Sequence, residues 1–405
     1  MAPPRNSTIS IAFFHRGHIF GGAEESLLFN ALDLRRRGHE VSVLCLDAFH
    51  VVDGFRKGDL SVHRRDVWSE VAVQRPSFLK RLADSMECRS KRWAGPLAKT
   101  LPRLVTGRQL RVFASALREI RPSVVIGNMN AGGDHQFLRL AHKLGTRTVS
   151  HQRITPPVWV GRRLLDDVNR FCDGLISNSE WTRSRWIQHG MRADRHEVIY
   201  NTLPPVEPSS ENLRARAGLD DDARVLVSVG RLSVEKSFES GIRAFASVAR
   251  DFPAWHYIII GEGAERERLQ QVSRDLDVFG RVHLVGSLPG ASAYLHQADV
   301  FLHPTPAEHF GRVVAEAMLA RTVVLAHGSG GVPEMIREGC SGFLFLDNKS
   351  LETKLREVMS SPVDEAMLTC ARARIIELCG MANAEALDRF VQAAAAGRIG
   401  GNSGR

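Results

Sequence analysis

The chain has 405 residues, of which 43% are hydrophobic and 24% charged. This composition is typical of a soluble globular protein, and the length is too great for one hydrophobic core. The longest apolar runs are strand-sized, short of the roughly 18–20 residues of a membrane span, and no signal peptide is recognisable. Six cysteines lack the CxxC spacing of metal knuckles or disulfide frameworks, so a reducing, cytoplasmic location is expected.

The net charge of +9 is unevenly distributed along the chain. Residues 1–205 contain 32 Lys and Arg against 19 Asp and Glu, whereas the remaining residues are slightly acidic. Within residues 75–111, ten cations accompany only two acids, with Phe78 and Trp93 among them. This stretch is interpreted either as a solvated helical face or as a surface for an anionic membrane or a phosphorylated acceptor, with peripheral attachment to the inner face of the plasma membrane. Nucleic acid is not expected as a partner, because no binding motif accompanies the charge.

Strand-like apolar runs alternate with helical patterns along the whole chain. This alternation predicts an α/β protein with βαβ units and parallel sheets, in which ligands bind at the carboxyl ends of strands. The runs are Ile9–Phe14, Val41–Leu46, Val124–Gly127, Arg147–Ser150, Leu175–Ser177, Glu197–Tyr200, Val225–Val229, Tyr257–Ile260, Val282–Val285, Val300–His303 and Val323–Ala326.

A polar, turn-rich segment interrupts this rhythm from Val206 onward. Together with the change in charge balance, it predicts an N-terminal domain over residues 1–205 and a C-terminal domain over residues 206–380. Residues 381–405 are predicted to form a C-terminal helix followed by a disordered tail.

The first candidate binding loop is HRGHIFGGAEES, which follows the first strand. Gly21 and Gly22 precede a helix predicted to begin near Ala23, where backbone N–H groups can bind a phosphate. A simple turn explains the pair equally well. The loop lacks the GxGxxG pattern, which disfavours a dinucleotide site.

Two further loops follow strands in the second half. In GRLSVEKS, Arg231 and Lys236 lie beside a helix start and predict a pyrophosphate site, with a pair of solvated loop cations as the alternative. In GEGAERER, Gly261 and Gly263 suit either the face of a base or ribose, or a tight turn.

The segment EHFGRVVAEAM places one glutamate before a predicted helix, Phe310–Ala320, and one upon it. Glu316 lies six residues past Phe310, about 9 Å along the helix axis, so that Glu308 and Glu316 could contact two parts of one ligand. Carboxylates accept hydrogen bonds from vicinal hydroxyls. The alternative has Glu308 as an acid near the helix N-cap and Glu316 paired with an arginine.

The start of the same predicted helix offers further donors. The N–H groups of Phe310, Gly311 and Arg312 are expected to be available for phosphate or sugar oxygens, and Gly311 would let a ligand approach closely. Asp220–Asp222 superficially resembles a metal-binding acidic motif, but its position before a strand indicates a solvated loop, and no metal site is predicted.

Taken together, these loops resemble the retaining glycosyltransferases of family four, which have the two-domain GT-B fold. The segments GGAEESLLFNALDLRRRGHEVSVLC, VGRLSVEKSFESGIRAFA, GEGAERERL, HLVGSLP, ADVFLHPT, EHFGRVVAEAM and GGVPEMIREGCSGFLF follow in that family's order and spacing. The resemblance implies two Rossmann-like domains facing each other across a cleft, the second of which holds a nucleotide-sugar donor.

The resemblance also implies roles for individual residues of the second domain. Arg231 and Lys236 would neutralise the diphosphate, Glu316 would hold the ribose hydroxyls, and Glu308 the sugar hydroxyls. Arg312 stands where a small or aliphatic residue is commoner in the family, and His309 where proline is commoner. The identity of the donor is therefore left open.

For the first domain, the resemblance implies that Gly22 approaches the phosphate and that His151, in TVSHQR, lies near the transferred sugar. A core histidine is the alternative for His151.

The implied activity is transfer of a sugar, with retention of configuration, to a lipid-linked, polysaccharide or small-molecule acceptor. No metal cofactor is expected. The competing hypotheses are a nucleotide-sugar epimerase or glycoside phosphorylase on the same fold, and a non-catalytic sugar-binding protein.

Overall fold

The computed structural model describes residues 8–15, 21–45 and 96–399. It divides the chain into two compact units. The first unit comprises Met1–Thr202 and Met381–Arg405, and the second unit comprises Leu203–Gly380. Of the basic stretch 75–111, residues 75–95 lie outside the described residues.

The first unit is built on a parallel sheet of six strands in the order β2-β1-β3-β4-β5-β6. Its strands are β1 (Ser10–His15), β2 (Glu40–Cys45), β3 (Val124–Gly127), β4 (Arg147–Gln152), β5 (Gly174–Ser177) and β6 (His196–Val198). Between these strands the structure describes the helices α1 (Gly22–Arg36), α2 (Pro96–Ile120), α3 (Ala131–Lys143), α4 (Arg162–Phe171) and α5 (Glu180–Gln188).

Both faces of this sheet are covered. Ile11 and Phe13 of β1 pack into one hydrophobic cluster, whereas Ala12 and Phe14 pack into another on the opposite face. This explains why the strand is a continuous apolar run rather than an alternating one, since strands of parallel sheets are buried on both sides.

The second unit contains a second parallel sheet of six strands, in the order β12-β11-β10-β7-β8-β9. Its strands are β7 (Arg224–Val229), β8 (Trp255–Ile260), β9 (Val282–Gly286), β10 (Val300–His303), β11 (Val323–His327) and β12 (Phe343–Phe345). Its helices are α6 (Leu213–Arg216), α7 (Phe238–Val248), α8 (Arg266–Asp275), α9 (Arg312–Leu319), α10 (Asn348–Ser360) and α11 (Glu365–Cys379). The predicted α/β class with two parallel sheets is therefore confirmed.

The strand order reverses once in each sheet, and these points position the candidate sites. In the second unit the chain winds outward from β7 in one direction and from β10 in the other. In the first unit the reversal lies between β1 and β3. At such switch points the two loops that leave the carboxyl ends of neighbouring strands diverge, which opens a crevice for ligands.

The last helix, α12 (Met381–Ala395), belongs to the first unit. Leu387, Phe390 and Val391 pack into the same cluster as Ile11 and Phe13. The chain therefore completes its first unit only after passing through the second.

No helix within the described ranges is both long and apolar enough to cross a membrane.

Candidate functional site

A lysine and a glutamate meet at the switch point of the second sheet. Lys236 ends a short 3-10 turn after β7, and Glu308 lies in the loop after β10. The Lys236 Nζ atom donates a hydrogen bond to Glu308 Oε2 at 2.6 Å. The His303 Nε2 atom, at the end of β10, lies 3.5 Å from the same oxygen. The structure thus brings together two predicted site residues that are 72 positions apart in the sequence.

The environment of Glu308 keeps its carboxylate ionised. Burial by itself would raise the pKa of Glu308, but His303 and the Lys236 ammonium hold that pKa far below its usual range. The two side chains nevertheless keep some exposure, 25% for Lys236 and 17% for Glu308. The pair is therefore a compact set of one cation and one anion that a polar ligand can reach.

The segment after β11 holds the backbone of Glu308 in place. The Gly331 N–H donates to the Glu308 carbonyl at 2.7 Å, and the Ala307 N–H donates to Ser329 Oγ at 2.8 Å. A Cβ atom on Gly330, which has a φ of +77°, would lie 2.1 Å from the Glu308 carbonyl oxygen. No role was predicted for the Ser329–Gly331 segment. The sequence feature that could have indicated a role is the run of small residues 328–331, which follows β11, the strand next to β10.

The helix after Glu308 begins later than predicted. Helix α9 spans Arg312–Leu319 rather than Phe310–Ala320, because Gly311 has a φ of +86° and forms the N-cap, while the side chain of Phe310 is buried. The first helical N–H groups therefore belong to Arg312 and its successors.

Glu316 is buried and ion-paired within its own helix. The Arg312 Nε atom donates to Glu316 Oε1 at 2.7 Å, one helical turn away. This is the arrangement of the alternative interpretation, in which Glu316 pairs with an arginine. One carboxylate oxygen is thus engaged by a cation, which fixes the rotamer of the side chain.

Arg231 is not joined to the Lys236–Glu308 pair. It lies in the same loop, but its guanidinium pairs with Glu235 Oε1 at 2.9 Å and its side chain is 56% exposed. For Arg231 and Lys236 to bind one diphosphate, as predicted, the Arg231 side chain must adopt a different rotamer.

Gly261 is packed against protein rather than leaving open backbone. A Cβ atom on Gly261 would lie 1.8 Å from the Gly230 carbonyl oxygen, and one on Gly263 would lie 2.2 Å from the Leu232 carbonyl oxygen. The two loops after β7 and β8 approach each other at these glycines. These contacts fit the tight-turn alternative, and binding of a base or ribose at this loop stays a prediction.

In the first unit, the Gly21 N–H is already used. It donates to Glu24 Oε2 at 2.9 Å in a capping box at the start of α1, which begins at Gly22. The side chain of the helix's own first turn accepts this hydrogen bond, so phosphate binding by the Gly21 N–H stays a prediction that requires Glu24 to give up the contact. Residues 16–20 of this loop lie outside the described residues.

A buried polar network occupies the switch point of the first sheet. His15 Nε2 lies 2.9 Å from Glu24 Oε1, and Asn128 Nδ2 lies 3.3 Å from His15 Nδ1. Arg153 donates to Asn128 Oδ1 and to Asn201 Oδ1, each at 2.8 Å. Burial would raise the pKa of Glu24, but its contacts with His15 lower it. This network was not predicted from the sequence, although His15, Asn128 and Arg153 each follow a predicted strand by one to three residues.

His151 is buried within β4, and neither ring nitrogen has a hydrogen-bond partner among the described residues. Burial, with the charge of Arg153 and the proximity of His196, holds the pKa of His151 well below its usual range. Its imidazole is therefore neutral and retains a nitrogen lone pair.

Over the ranges that the structure describes, no group of three or more His, Cys, Asp or Glu side chains could hold a metal ion. Metal-independent activity stays a prediction.

Comparison with known proteins places most of the chain in two family models. Residues 21–202 match the glycosyl transferase 4-like domain, and residues 209–375 match glycosyl transferases group 1.

Among curated relatives, the chain is 30% identical to the lipopolysaccharide core biosynthesis glycosyltransferase LpsE of Rhizobium meliloti over 181 residues, which is 44% of this chain and 52% of that protein. It is 28% identical to the amylovoran biosynthesis glycosyltransferase AmsK of Erwinia amylovora, over 65% of this chain and 72% of that protein. The first curated relatives are matched over only about half of their length, for example 47% of the alpha-monoglucosyldiacylglycerol synthase of Streptococcus pneumoniae.

Among solved structures, Anabaena HepE in complex with UDP and glucose superposes with a TM-score of 0.74 at 20% identity. The match covers 95% of this chain and all of that one. An apo form of the lipopolysaccharide outer core galactosyltransferase WaaB superposes with a TM-score of 0.65 over 94% of this chain, at 17% identity.

Proposed function

We propose that this chain, which belongs to the group 1 glycosyltransferases, transfers a sugar from a nucleotide-sugar donor to an acceptor hydroxyl. The predicted family and the predicted GT-B fold are both confirmed. The observation that carries the proposed activity is the Lys236–Glu308 pair at the switch point of the second sheet. A cation for the leaving diphosphate and an anion for sugar hydroxyls lie there side by side.

The donor is bound by the second unit. The Lys236 ammonium exchanges its contact with Glu308 for a diphosphate oxygen, a charge-assisted hydrogen bond of comparable strength. The freed Glu308 carboxylate accepts hydrogen bonds from the sugar. Because Anabaena HepE is described with UDP and glucose, UDP-glucose is the donor to test first.

Glu316 binds the ribose hydroxyls through its carboxylate. The ion pair with Arg312 supports this role, since it holds the side chain in one orientation. Arg312 is then a positioning residue, and its cation adds to the positive end of α9.

Departure of the nucleoside diphosphate is the step that needs electrostatic stabilisation. Lys236 and the first N–H groups of α9 neutralise the charge that develops on the leaving oxygen. The acceptor hydroxyl attacks from the face that the diphosphate leaves, which retains the anomeric configuration. His151 keeps the role that the family resemblance implies, beside the transferred sugar. Its burial and unpartnered ring nitrogens support that role.

The acceptor is a growing glycan or a glycolipid. The support is the naming of relatives for lipopolysaccharide core, amylovoran and a glucosyldiacylglycerol. Contact of residues 75–111 with an anionic membrane belongs to the same proposal.

Donor binding is tested by thermal shift with a panel of UDP-, GDP- and ADP-sugars. A ligand that binds only the folded state at 100 times its Kd stabilises by about 2.7 kcal/mol, so a true donor raises the melting temperature measurably. We expect one nucleotide to do so with the wild type and to do so far less with Lys236→Ala. Lys349→Ala, which removes an exposed lysine of α10, is the matched control and should respond like the wild type. A folded wild-type protein that responds to no nucleotide sugar would overturn the proposal.

A further inference from the structure

Two cysteines that the sequence separates by thirty positions meet on the surface of the second unit. The Sγ atoms of Cys340 and Cys370 lie 2.8 Å apart, and both are free thiols. Cys340 is exposed and Cys370 is partly exposed. A disulfide bond is about 2.05 Å long, so the two sulfur atoms need to approach by less than about 1 Å to bond.

Hydrogen bonds in each segment hold this proximity. Cys340 lies in a turn before β12, where its own N–H donates to the Arg337 carbonyl at 3.0 Å and the Arg337 N–H donates to Ser341 Oγ at 2.8 Å. Cys370 lies within α11. One turn further along that helix, Arg374 donates to the Glu334 carbonyl at 2.9 Å, which ties α11 to the segment that leads into the turn.

The other two cysteines with described side chains differ from this pair. Cys172 and Cys379 are buried, and burial raises the pKa of each thiol to about 12. Thiolates are the species that react with disulfides, so these two are inert by comparison. The reactive positions are the exposed ones.

We propose that Cys340 and Cys370 form a reversible disulfide by exchange with a low-molecular-weight disulfide such as oxidised glutathione. The thiolate of one cysteine attacks a sulfur of the small disulfide, forms a mixed disulfide and releases one small thiol. The second cysteine, as thiolate, attacks the protein sulfur of the mixed disulfide and releases the second small thiol. In total the two protein thiols lose two protons and two electrons, and the small disulfide gains both to become two small thiols.

The chemistry of the pair favours stepwise reaction. The neighbouring Cys340 sulfur raises the pKa of Cys370, because ionisation of both thiols would place two thiolates side by side. The first thiolate formed therefore has a protonated resolving thiol beside it. Surface disulfides are also the readily reduced ones, which makes the link reversible.

A disulfide between Cys340 and Cys370 would restrict the segment that contacts Glu308. The turn at Cys340 continues the chain segment whose Ser329 and Gly331 bond to Ala307 and Glu308. Once cross-linked to α11, residues 328–342 should exchange their amide hydrogens more slowly. This consequence is independent of the proposed sugar transfer.

The test uses the full-length protein, reduced and then incubated with oxidised glutathione. We expect an intact mass lower by about 2 Da, since two hydrogens are lost. Peptide mapping should give a single 340–370 cross-link that dithiothreitol reverses. The oxidised form should melt at a higher temperature, because a cross-link restricts the unfolded chain.

Two serine variants and one control complete the experiment. Cys340→Ser and Cys370→Ser should each acquire a glutathione adduct instead of the cross-link, whereas Cys88→Ser should keep the cross-link. Wild-type protein that carries only glutathione adducts, or that links these cysteines between chains, would overturn the proposal. Because that outcome is read on the wild type, it stands even where a serine variant fails to fold.

Discussion

Each sheet reverses its strand order once, but the polar side chains at the two switch points differ in burial and in their contacts. In the first unit, His15, Glu24, Asn128, Arg153 and Asn201 are all buried and bond mainly to one another. In the second unit, Lys236 and Glu308 form one ion pair that keeps part of its surface exposed. Polar groups that satisfy each other in the interior stabilise one fixed arrangement, whereas a partly exposed pair can exchange partners with a ligand. The first switch point therefore has the contacts of a rigid platform, whereas the second has an ion pair that a ligand can reach.

The largest expected effect is on turnover at the second switch point. Lys236→Ala and Glu308→Gln should each raise the barrier by about 2–4 kcal/mol, since the proposed function assigns each side chain a contact with the reacting sugar or its leaving group. Steady-state kcat/KM with the donor found by thermal shift measures this loss. If both variants retain near-normal turnover while folded, the distinction between platform and site fails.

The next effect concerns how the Glu308 backbone is held. Gly330→Ala should abolish most transfer, because its Cβ would meet the Glu308 carbonyl oxygen at 2.1 Å. Gly339→Ala is the matched control: Gly339 has a similar φ of +71° but nothing within 4 Å of the added Cβ. The control should lose only about 1–2 kcal/mol of stability from left-handed backbone strain. Activity assays on both variants compare them directly, and equal losses would show that Glu308 does not depend on the Ser329–Gly331 segment.

A smaller effect is expected on the stability of the first unit. Glu24→Gln leaves one side-chain oxygen to accept hydrogen bonds from both His15 and the Gly21 N–H, so one buried donor loses its partner at a cost of about 1–3 kcal/mol. Faster amide hydrogen exchange in β1 and β3 measures the loss. Glu308→Gln should leave exchange in the first unit unchanged. Equal protection of β1 in the wild type and Glu24→Gln would contradict the structural role of the network.

The smallest effect is a pH dependence at the other end of the second sheet. His256 Nδ1 and His283 Nε2 lie 3.1 Å apart near the amino ends of β8 and β9. Burial and the neighbouring His256 lower the pKa of His283 to about 4, and burial and Arg281 lower the pKa of His256 despite Asp220. Since the unfolded chain binds these protons near pH 6.5, the second unit should lose stability as the pH falls from about 6.5 toward 4.

His283→Gln should flatten that pH dependence. Urea unfolding followed at several pH values, with the Trp255 signal as the reporter of the second unit, makes the measurement. If the free energy of unfolding depends on pH equally in the wild type and the variant, groups other than His283 cause the acid sensitivity.

The sequence predicted the class of fold and placed Lys236 and Glu308 just after strands, where the strands of a parallel sheet end at one edge. It did not predict that the two side chains pair. It could not fix side-chain partners. Arg231 turns to Glu235, four residues away, and Arg312 turns to Glu316, also four residues away. Such local ion pairs compete with a ligand for the same side chain, and the residue types alone do not show which contact is stronger. The helix start was predicted two residues early because the apolar pattern does not show that Gly311 adopts a positive φ.

The buried network of the first unit was missed for a different reason. His15, Asn128 and Arg153 come from strands that are far apart in the sequence, and their contacts depend on the spatial order of β1, β3 and β4. The pairing of Cys340 with Cys370 likewise depends on where α11 packs, which the spacing of the cysteines does not encode.

The return of α12 to the first unit has a consequence for synthesis on the ribosome. One face of β1 is covered by Leu387, Phe390 and Val391, which are translated after the whole second unit. During translation all residues of the second unit are synthesised before α12. Until α12 is made, Ile11 and Phe13 lack their contacts with it and expose apolar surface. Truncation after Gly380 would therefore damage the unit that contains the N-terminal residues and leave the other unit's core whole. The second unit can therefore fold before the first unit is complete.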